Sequence, residues 1–481
     1  MEMDKVFLDI GESGKHQLQL GLILCIMKLY TPFHILQYTF IGRHHTFYCS
    51  RGEETLTDQC FDNQVSMCEN LTFTEETIVS EWSLVCDNNW LSKSTMSALM
   101  FGFLVGALLL GSLADMIGRK SNILVTLIGM IFFSLVSSMA RQFFVYILSR
   151  FLVGFFVAGN ILSIIVLTSE IVGPSYRGIY GIIVLGSSAV GLLFLSLLAS
   201  YVPSWRDLST LITLLGLPLI FLQGYLVESP RWLLSQNRVI EAEEVLEQIA
   251  KGNGVSLKEK LRLCNPTVEM KTKKDSIRNL LRFRKLQLIT LITCYNWFIN
   301  GAVYYGLTLA AGDISGDVYT GTALSGAVEI PAIFLAYYVL EYYGRRDALT
   351  TFMISSGLSC LSLQLLSDKP GVTVLALFGK MCISASFKSV YIHSNELFST
   401  SIRNSAMGLV SAQARVGAIL SPFIVMAGES LAGVQFLIFG FLGISGGVLS
   451  TWLPETRDRA LPMTVGDMMK ENTKKMSTQH V

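Results

Sequence analysis

Apolar residues in this chain come in long blocks, not in the alternation or narrow stripes of a soluble fold. Twelve blocks stand near 18–40, 93–114, 121–140, 143–170, 177–201, 208–227, 287–309, 318–341, 348–367, 372–394, 404–427 and 431–453. A helix needs about 20 apolar residues to cross a hydrocarbon core. Each block therefore predicts a spanning helix, with edges set only to within a few residues. Glycines recur inside the blocks, as in GFLVG (102–106) and GISGG (443–447). Small residues let helices approach closely in lipid, so most of these glycines are read as packing positions.

Composition agrees with the pattern. The chain has 481 residues, 51% apolar and only 15% charged, with a mean hydropathy of +0.50. Soluble domains carry about 25% charged residues, so a soluble cytosolic enzyme is excluded. The net charge of +1 gives no reason to expect nucleic acid as a partner. Residues 1–17 are polar and lack the basic start and short apolar core of a cleaved leader. The first block is read as a retained helix.

Two polar segments set the orientation. Residues 42–92 hold two Arg against nine Asp or Glu, whereas residues 228–286 hold thirteen Lys or Arg against eight acids. Basic loops stay in the cytoplasm, which places 42–92 outside and 228–286 inside, with both termini cytoplasmic. Cys49, Cys60, Cys68 and Cys86 all fall in the acidic segment, as does the sequon Asn70-Leu71-Thr72. Four extracellular cysteines predict two disulfides, with three connectivities open, and Asn70 is a candidate glycosylation site. Cys25, Cys264, Cys294, Cys360 and Cys382 are scattered and read as apolar fillers. They show no metal-ligand spacing, so neither a metal nor another cofactor is expected. No zincin, phosphate-loop or nucleophile-elbow motif is present, which argues against an enzyme and against direct pumping by ATP.

The chain also repeats itself. Gly111, Asp115, Gly118, Arg119 and Lys120 follow the second block; Glu341, Gly344, Arg345 and Arg346 follow the eighth. Glu170 and Arg177 bracket the end of the fourth block, Glu396 and Arg403 the end of the tenth. Glu228 and Arg231 follow the sixth, Glu455 and Arg457 the twelfth. The separation is 226 residues for the first two sets, and Glu228 and Glu455 lie 227 apart. Two six-helix halves in the same orientation account for this, the plan of a transporter whose halves rock about a midplane site. The organisation is a cytoplasmic N-terminus (1–17), a first half (18–227) containing the loop 42–92, a linker (228–286), a second half (287–453) and a tail (454–481). The acid–base clusters all map to cytoplasmic span ends. They are expected to gate by pairing when the inner side is shut; the plainer alternative is topology signals and helix caps.

These residues resemble the major facilitator superfamily, whose most typical motif matches Gly111–Lys120. More narrowly, the chain is similar to solute carrier family 22 organic-ion transporters. The stretches that carry this are GESGKHQ (11–17), EWSLVCDNNW (81–90), SRFLVG (149–154), TSEIVGPSYRG (168–178), ESPRWLL (228–234), VYYGLTL (303–309) and NELFSTSIRNSAMG (395–408). The resemblance implies an all-α membrane protein of twelve helices, a multi-pass secondary transporter of the plasma membrane working by alternating access. The chain departs from the family in a short outer loop with four cysteines where six are usual, in Val227 for a common Pro, and in Tyr337 and Glu341 where Gly and Asp are common.

Ionisable groups inside spans are costly and usually functional. Lys28, Glu329, Lys380, Lys388 and Arg415 qualify, with His34 and His393 as titratable rings. In similar carriers an Arg at the position of Arg415 goes with anions and zwitterions, and Asp with cations. An Arg fork can hold a carboxylate through two parallel bonds. Glu329 stands where cation and carnitine carriers also have an acid; it would meet an ammonium or pair with Arg415 or Lys388. Lys380, nearer a span edge, is read as snorkelling, while Lys28 and Lys388 are cavity candidates. Trp297, Asn300 and Tyr304 share one helical face, and the resemblance makes Trp297 and Tyr304 substrate-lining aromatics. Tyr30, His34 and Gln37 would complete the lining. One acid against several cations selects a carnitine-like or ergothioneine-like zwitterion or cation over an organic anion, which is the alternative if a Lys neutralises Glu329. A receptor of the same fold and a channel are further alternatives. The expected partners are a small organic ion and the lipid bilayer; whether a coupling ion, sodium or a proton, joins them is left open by the sequence.

Overall fold

Hydrocarbon offers backbone groups no water, so an apolar block satisfies them internally by becoming a helix. The computed structural model describes residues 3–43, 45–255, 284–312, 316–366, 369–399, 402–431 and 433–457. Its first unit, Met1–Met270, contains α1 (Met3–Ile10), α2 (Lys15–Leu36), α3 (Asn89–Ile117), α4 (Arg119–Met139), α5 (Phe143–Glu170), α6 (Arg177–Tyr201), α7 (Trp205–Gly224), α8 (Pro230–Ser235) and α9 (Val239–Gly252). The second, Lys271–Val481, contains α10 (Arg284–Leu309), α11 (Val318–Tyr343), α12 (Arg345–Ser362), α13 (Lys369–Leu397), α14 (Arg403–Ser430) and α15 (Val434–Ser450). Among the described residues, 11 helices are long and apolar enough to cross a membrane, and α15 is a shorter apolar helix in the twelfth block.

Each half is closed by the same device, a glycine facing a carbonyl of the neighbouring helix. A Cβ on Gly154 of α5 would lie 1.9 Å from the Leu99 carbonyl of α3, and one on Gly301 of α10 would lie 2.0 Å from the Ala414 carbonyl of α14. Only a residue without a side chain permits such an approach.

The loop 42–92 holds the exception to an all-α fold. Strands β1 (Phe47–Arg51), β2 (Glu54–Thr57) and β3 (Asn70–Phe73) form an antiparallel sheet in the order β2-β1-β3. The four cysteines pair as Cys49–Cys68 and Cys60–Cys86, one of the three open connectivities. Asn70 is exposed on β3.

The polar N-terminus contains an unforeseen helix. Val6, Phe7 and Ile10 of α1 are fully buried against Trp232, Leu233, Leu246 and Ile249 of α8 and α9. Asn253 then ties this layer to α2: its Nδ2 donates to the Ile10 carbonyl (2.9 Å) and to Gln17 Oε1 (2.8 Å), while its Oδ1 accepts the His16 N–H (3.1 Å). Ala242, Leu246 and Ile249 thus form a packed apolar face of α9. Residues 256–283 of the basic linker, including Cys264, and the tail from residue 458 lie outside the described residues.

Candidate functional site

The duplicated motifs build one construction twice. In the first half, α3 ends at Gly118, whose φ of +99° suits glycine. The chain restarts at once as α4, and the orphan N–H groups of that helix need acceptors. Glu228 supplies them: its carboxylate accepts the Arg119 N–H (2.8 Å) and the Lys120 N–H (3.1 Å). A negative group at a helix N-terminus also meets the favourable end of the dipole. The Arg119 side chain turns back to the Ala114 carbonyl (3.2 Å), to Glu170 (3.1 Å) and to Asp115 (2.9 Å). Trp232 Nε1 donates to the Asp115 carbonyl (2.8 Å).

The second half repeats this almost bond for bond. Gly344 has φ +105°. Glu455 accepts the N–H of Arg345 (2.8 Å) and of Arg346 (3.0 Å), and the Arg345 side chain reaches the Leu340 carbonyl (3.1 Å) and Glu396 (3.1 Å). Arg457 donates to the Tyr342 carbonyl (2.5 Å), in the place Trp232 fills above. Burial alone would raise the Glu455 carboxyl. The N–H groups of Arg457, Arg345, Arg346 and Thr456 outweigh it and hold the group below the ordinary carboxylate range. The copies differ at the acids that follow the second and eighth blocks: Asp115 pairs with Arg119, while Glu341 is an exposed residue of α11. Arg177 and Arg403 open α6 and α14, Arg403 bonding the Phe398 carbonyl (3.2 Å), and Arg231 sits in α8. The pairs Arg119–Glu170, Arg119–Asp115 and Arg345–Glu396 are each made inside one half, and Glu228 and Glu455 visibly cap helices.

Inside the second half, polar groups of three spans converge. Glu329 of α11 is 7% exposed. Tyr304 of α10 donates its hydroxyl to Glu329 Oε1 (2.5 Å), and Lys380 Nζ of α13 lies 3.3 Å from the same oxygen. Lys380 Nζ also donates to Thr308 Oγ1 (2.5 Å) and sits 3.3 Å above the centre of the Tyr304 ring. This corrects the snorkelling assignment: Lys380 is 2% exposed and is the described ion-pair partner of Glu329. Desolvation makes the pair compulsory, because an unpartnered charge at that depth is costly. Lys388, two turns on, donates to the Ser384 carbonyl (3.1 Å), and Arg415 of α14 donates to the Tyr305 hydroxyl (3.3 Å). Tyr305 was not singled out by the sequence, because it lies off the face that Trp297, Asn300 and Tyr304 share.

The aromatic face of α10 divides. Tyr304 joins the charged cluster, whereas Trp297 is 2% exposed, bonded through Nε1 to Ser394 (2.9 Å) and packed on Phe387 and Tyr391. Asn300 is fully buried and donates to the Asn296 carbonyl (2.8 Å). Trp297 and Asn300 are therefore held in the core of their half.

In the first half, Lys28 is buried and donates to Ser188 (2.9 Å) and Thr31 (3.2 Å). Tyr30 donates to the Ile212 carbonyl (3.1 Å), and its ring meets that of His34 at 4.6 Å. His34 is fully buried, and its carbonyl accepts from Arg150 (2.8 Å). Arg150, within SRFLVG, is a buried charge that was not among the site candidates. Its position inside a span was the available signal.

Comparison with known proteins agrees with this architecture. Residues 48–463 match the family described as "Sugar (and other) transporter". The chain is 34% identical to "Solute carrier family 22 member 15-like" of Xenopus laevis, over 97% of this chain and 96% of the relative. It is 33% identical to human "Organic cation/carnitine transporter 2" over 82% of this chain and 72% of the relative. Among solved structures, the inward-open xylose transporter XylE from E. coli matches with a TM-score of 0.67 at 14% identity, covering 95% of this chain and 99% of that one. That likeness establishes the fold, the major facilitator fold.

Proposed function

We propose a substrate class for a chain that belongs to solute carrier family 22, within the major facilitator superfamily. The family fixes the coarse activity: a multi-pass membrane transporter of small molecules, not an enzyme. The finer reading is a secondary transporter of the plasma membrane that moves organic anions by alternating access.

One observation carries it. The single acid in mid-span of the second half, Glu329, is already met by Lys380 Nζ at 3.3 Å and by the Tyr304 hydroxyl at 2.5 Å. A ligand ammonium would have to displace a tethered ammonium from a desolvated site. Counting charges in the middle of these spans leaves three cations, Lys380, Lys388 and Arg415, against Glu329. Such a half attracts a carboxylate. A zwitterion, carnitine-like or ergothioneine-like, is the second reading. Lys380 Nζ lies over the Tyr304 ring beside a carboxylate, an arrangement a quaternary ammonium would also fit. The name of the human cation/carnitine relative makes that reading worth testing. We assign the paired Glu228 and Glu455 constructions to gating at the cytoplasmic span ends.

The test is uptake into proteoliposomes of an aromatic carboxylate, a betaine and tetraethylammonium. The expected result is saturable uptake of the carboxylate, falling about 10–100-fold in Arg415→Gln, the worth of a charge-assisted bond. Saturable tetraethylammonium uptake that outruns the carboxylate would overturn the reading, and binding without any uptake would favour a receptor.

A further inference from the structure

The core of the first half holds a charge that the proposed substrate site does not use. Arg150 of α5 is 1% exposed. Its Nη2 donates to the His34 carbonyl of α2 (2.8 Å), but its Nη1 has no hydrogen-bond partner. Among the described residues no carboxylate lies within ion-pair reach of it. Four residues earlier, on the same face of α5, stands Tyr146, fully buried and with its hydroxyl unpartnered. On α2 both ring nitrogens of His34 are unpartnered and fully buried. A buried guanidinium without a counter-charge is among the least favourable arrangements in a membrane protein.

The nature of the orphaned groups selects what could satisfy them. The guanidinium offers only N–H donors and carries the charge; the phenol and a neutral imidazole each offer one donor and one uncharged acceptor, which cannot balance it. Donors without an acceptor of matching charge describe an anion site. Water would fill hydrogen bonds and leave the charge unbalanced. The site is also walled: Trp82, from the disulfide-bonded loop, packs on the Tyr146 ring at 5.0 Å, and Trp205 packs on it at 5.6 Å. Tight burial limits the occupant to something compact.

We infer that Arg150, Tyr146 and His34 form a binding site for a small monovalent anion in the first half, either a halide or a small carboxylate such as acetate. The inference stands apart from the substrate reading above, because it rests on different residues in the other half.

Thermal unfolding of the purified full chain tests it. The reference buffer is sodium isethionate, with chloride or acetate substituted at equal ionic strength. Occupancy should raise the midpoint by about 2–4 °C. A gain with chloride assigns a halide, and a gain with acetate assigns a carboxylate. Either gain should vanish in Arg150→Gln, shrink in Tyr146→Phe and persist in Asn70→Gln. If Arg150→Gln does not fold, Tyr146→Phe decides alone. No gain from either anion in the unaltered protein, or an undiminished gain in Tyr146→Phe, would overturn the site.

Discussion

In the first half Arg119 gives its N–H to Glu228 at 2.8 Å and its side chain to Glu170 at 3.1 Å. In the second, Arg345 makes the same two bonds to Glu455 and Glu396 at 2.8 and 3.1 Å. A few turns into the spans the agreement ends. Lys28, buried in the first half, donates to the hydroxyls of Ser188 and Thr31; Lys380, buried in the second, is paired with Glu329. Duplicated ends are explained by a shared problem: a glycine turn between two spans leaves the same helix terminus to be capped. Interiors face no such common demand, so they were free to diverge, and the divergence is where substrate chemistry is to be sought.

Several substitutions sharpen this contrast. The largest effect is expected at Lys380. Lys380→Met strands a buried carboxylate and should destabilise the protein by about 3–5 kcal/mol. Lys28→Met should do much less, and equal losses of thermal midpoint would erase the distinction between the two interiors. Next are the turn glycines. A Cβ on Gly118 would lie 2.3 Å from Glu228 Oε2, and one on Gly344 would lie 2.7 Å from Glu455 Oε2. With the backbone strain added, each Ala variant should lose roughly 2–4 kcal/mol, Gly118→Ala more than Gly344→Ala, as surface abundance would report. A wide gap between the two would break the claim that the ends are equivalent.

The pH dependence is smaller. Because the folded Glu455 carboxyl titrates below its ordinary range, its contribution is complete above that range and is lost as pH falls through the depressed value. Glu455→Gln should therefore flatten the acid limb of a stability curve and leave the alkaline limb alone. Last, Trp297→Phe removes one bond to Ser394 and should cost about 1 kcal/mol with little change in substrate preference. A changed preference would return Trp297 to the binding surface.

The twelve helices and the two-fold repeat were legible in the chain, since both follow from hydrocarbon thickness and from chemistry that has to recur at span ends. The acidic loop showed its cysteines but not their pairing, because four sulfurs leave three choices until β1 and β3 bring Cys49 and Cys68 together. The helix Met3–Ile10 escaped notice because eight residues are too few for a period to declare itself. Lys380 was misjudged for a related reason. Position along a span does not fix which way a side chain turns, and only the packing of α10, α11 and α13 brings Lys380, Tyr304 and Glu329 to one point. Arg150 had the same signal as Arg415, a cation within a span, but the family resemblance attached a role only to Arg415.

The central claim is that Glu329 serves Lys380 and does not serve the substrate. A double-variant cycle on carboxylate uptake tests it most directly, using Lys380→Gln, Glu329→Gln and the two together, each normalised to surface protein. The account predicts that each single change cripples uptake and that the neutral pair restores most of it. A double variant as inactive as Glu329→Gln alone would mean that the carboxylate acts on the substrate itself, and the account would be wrong.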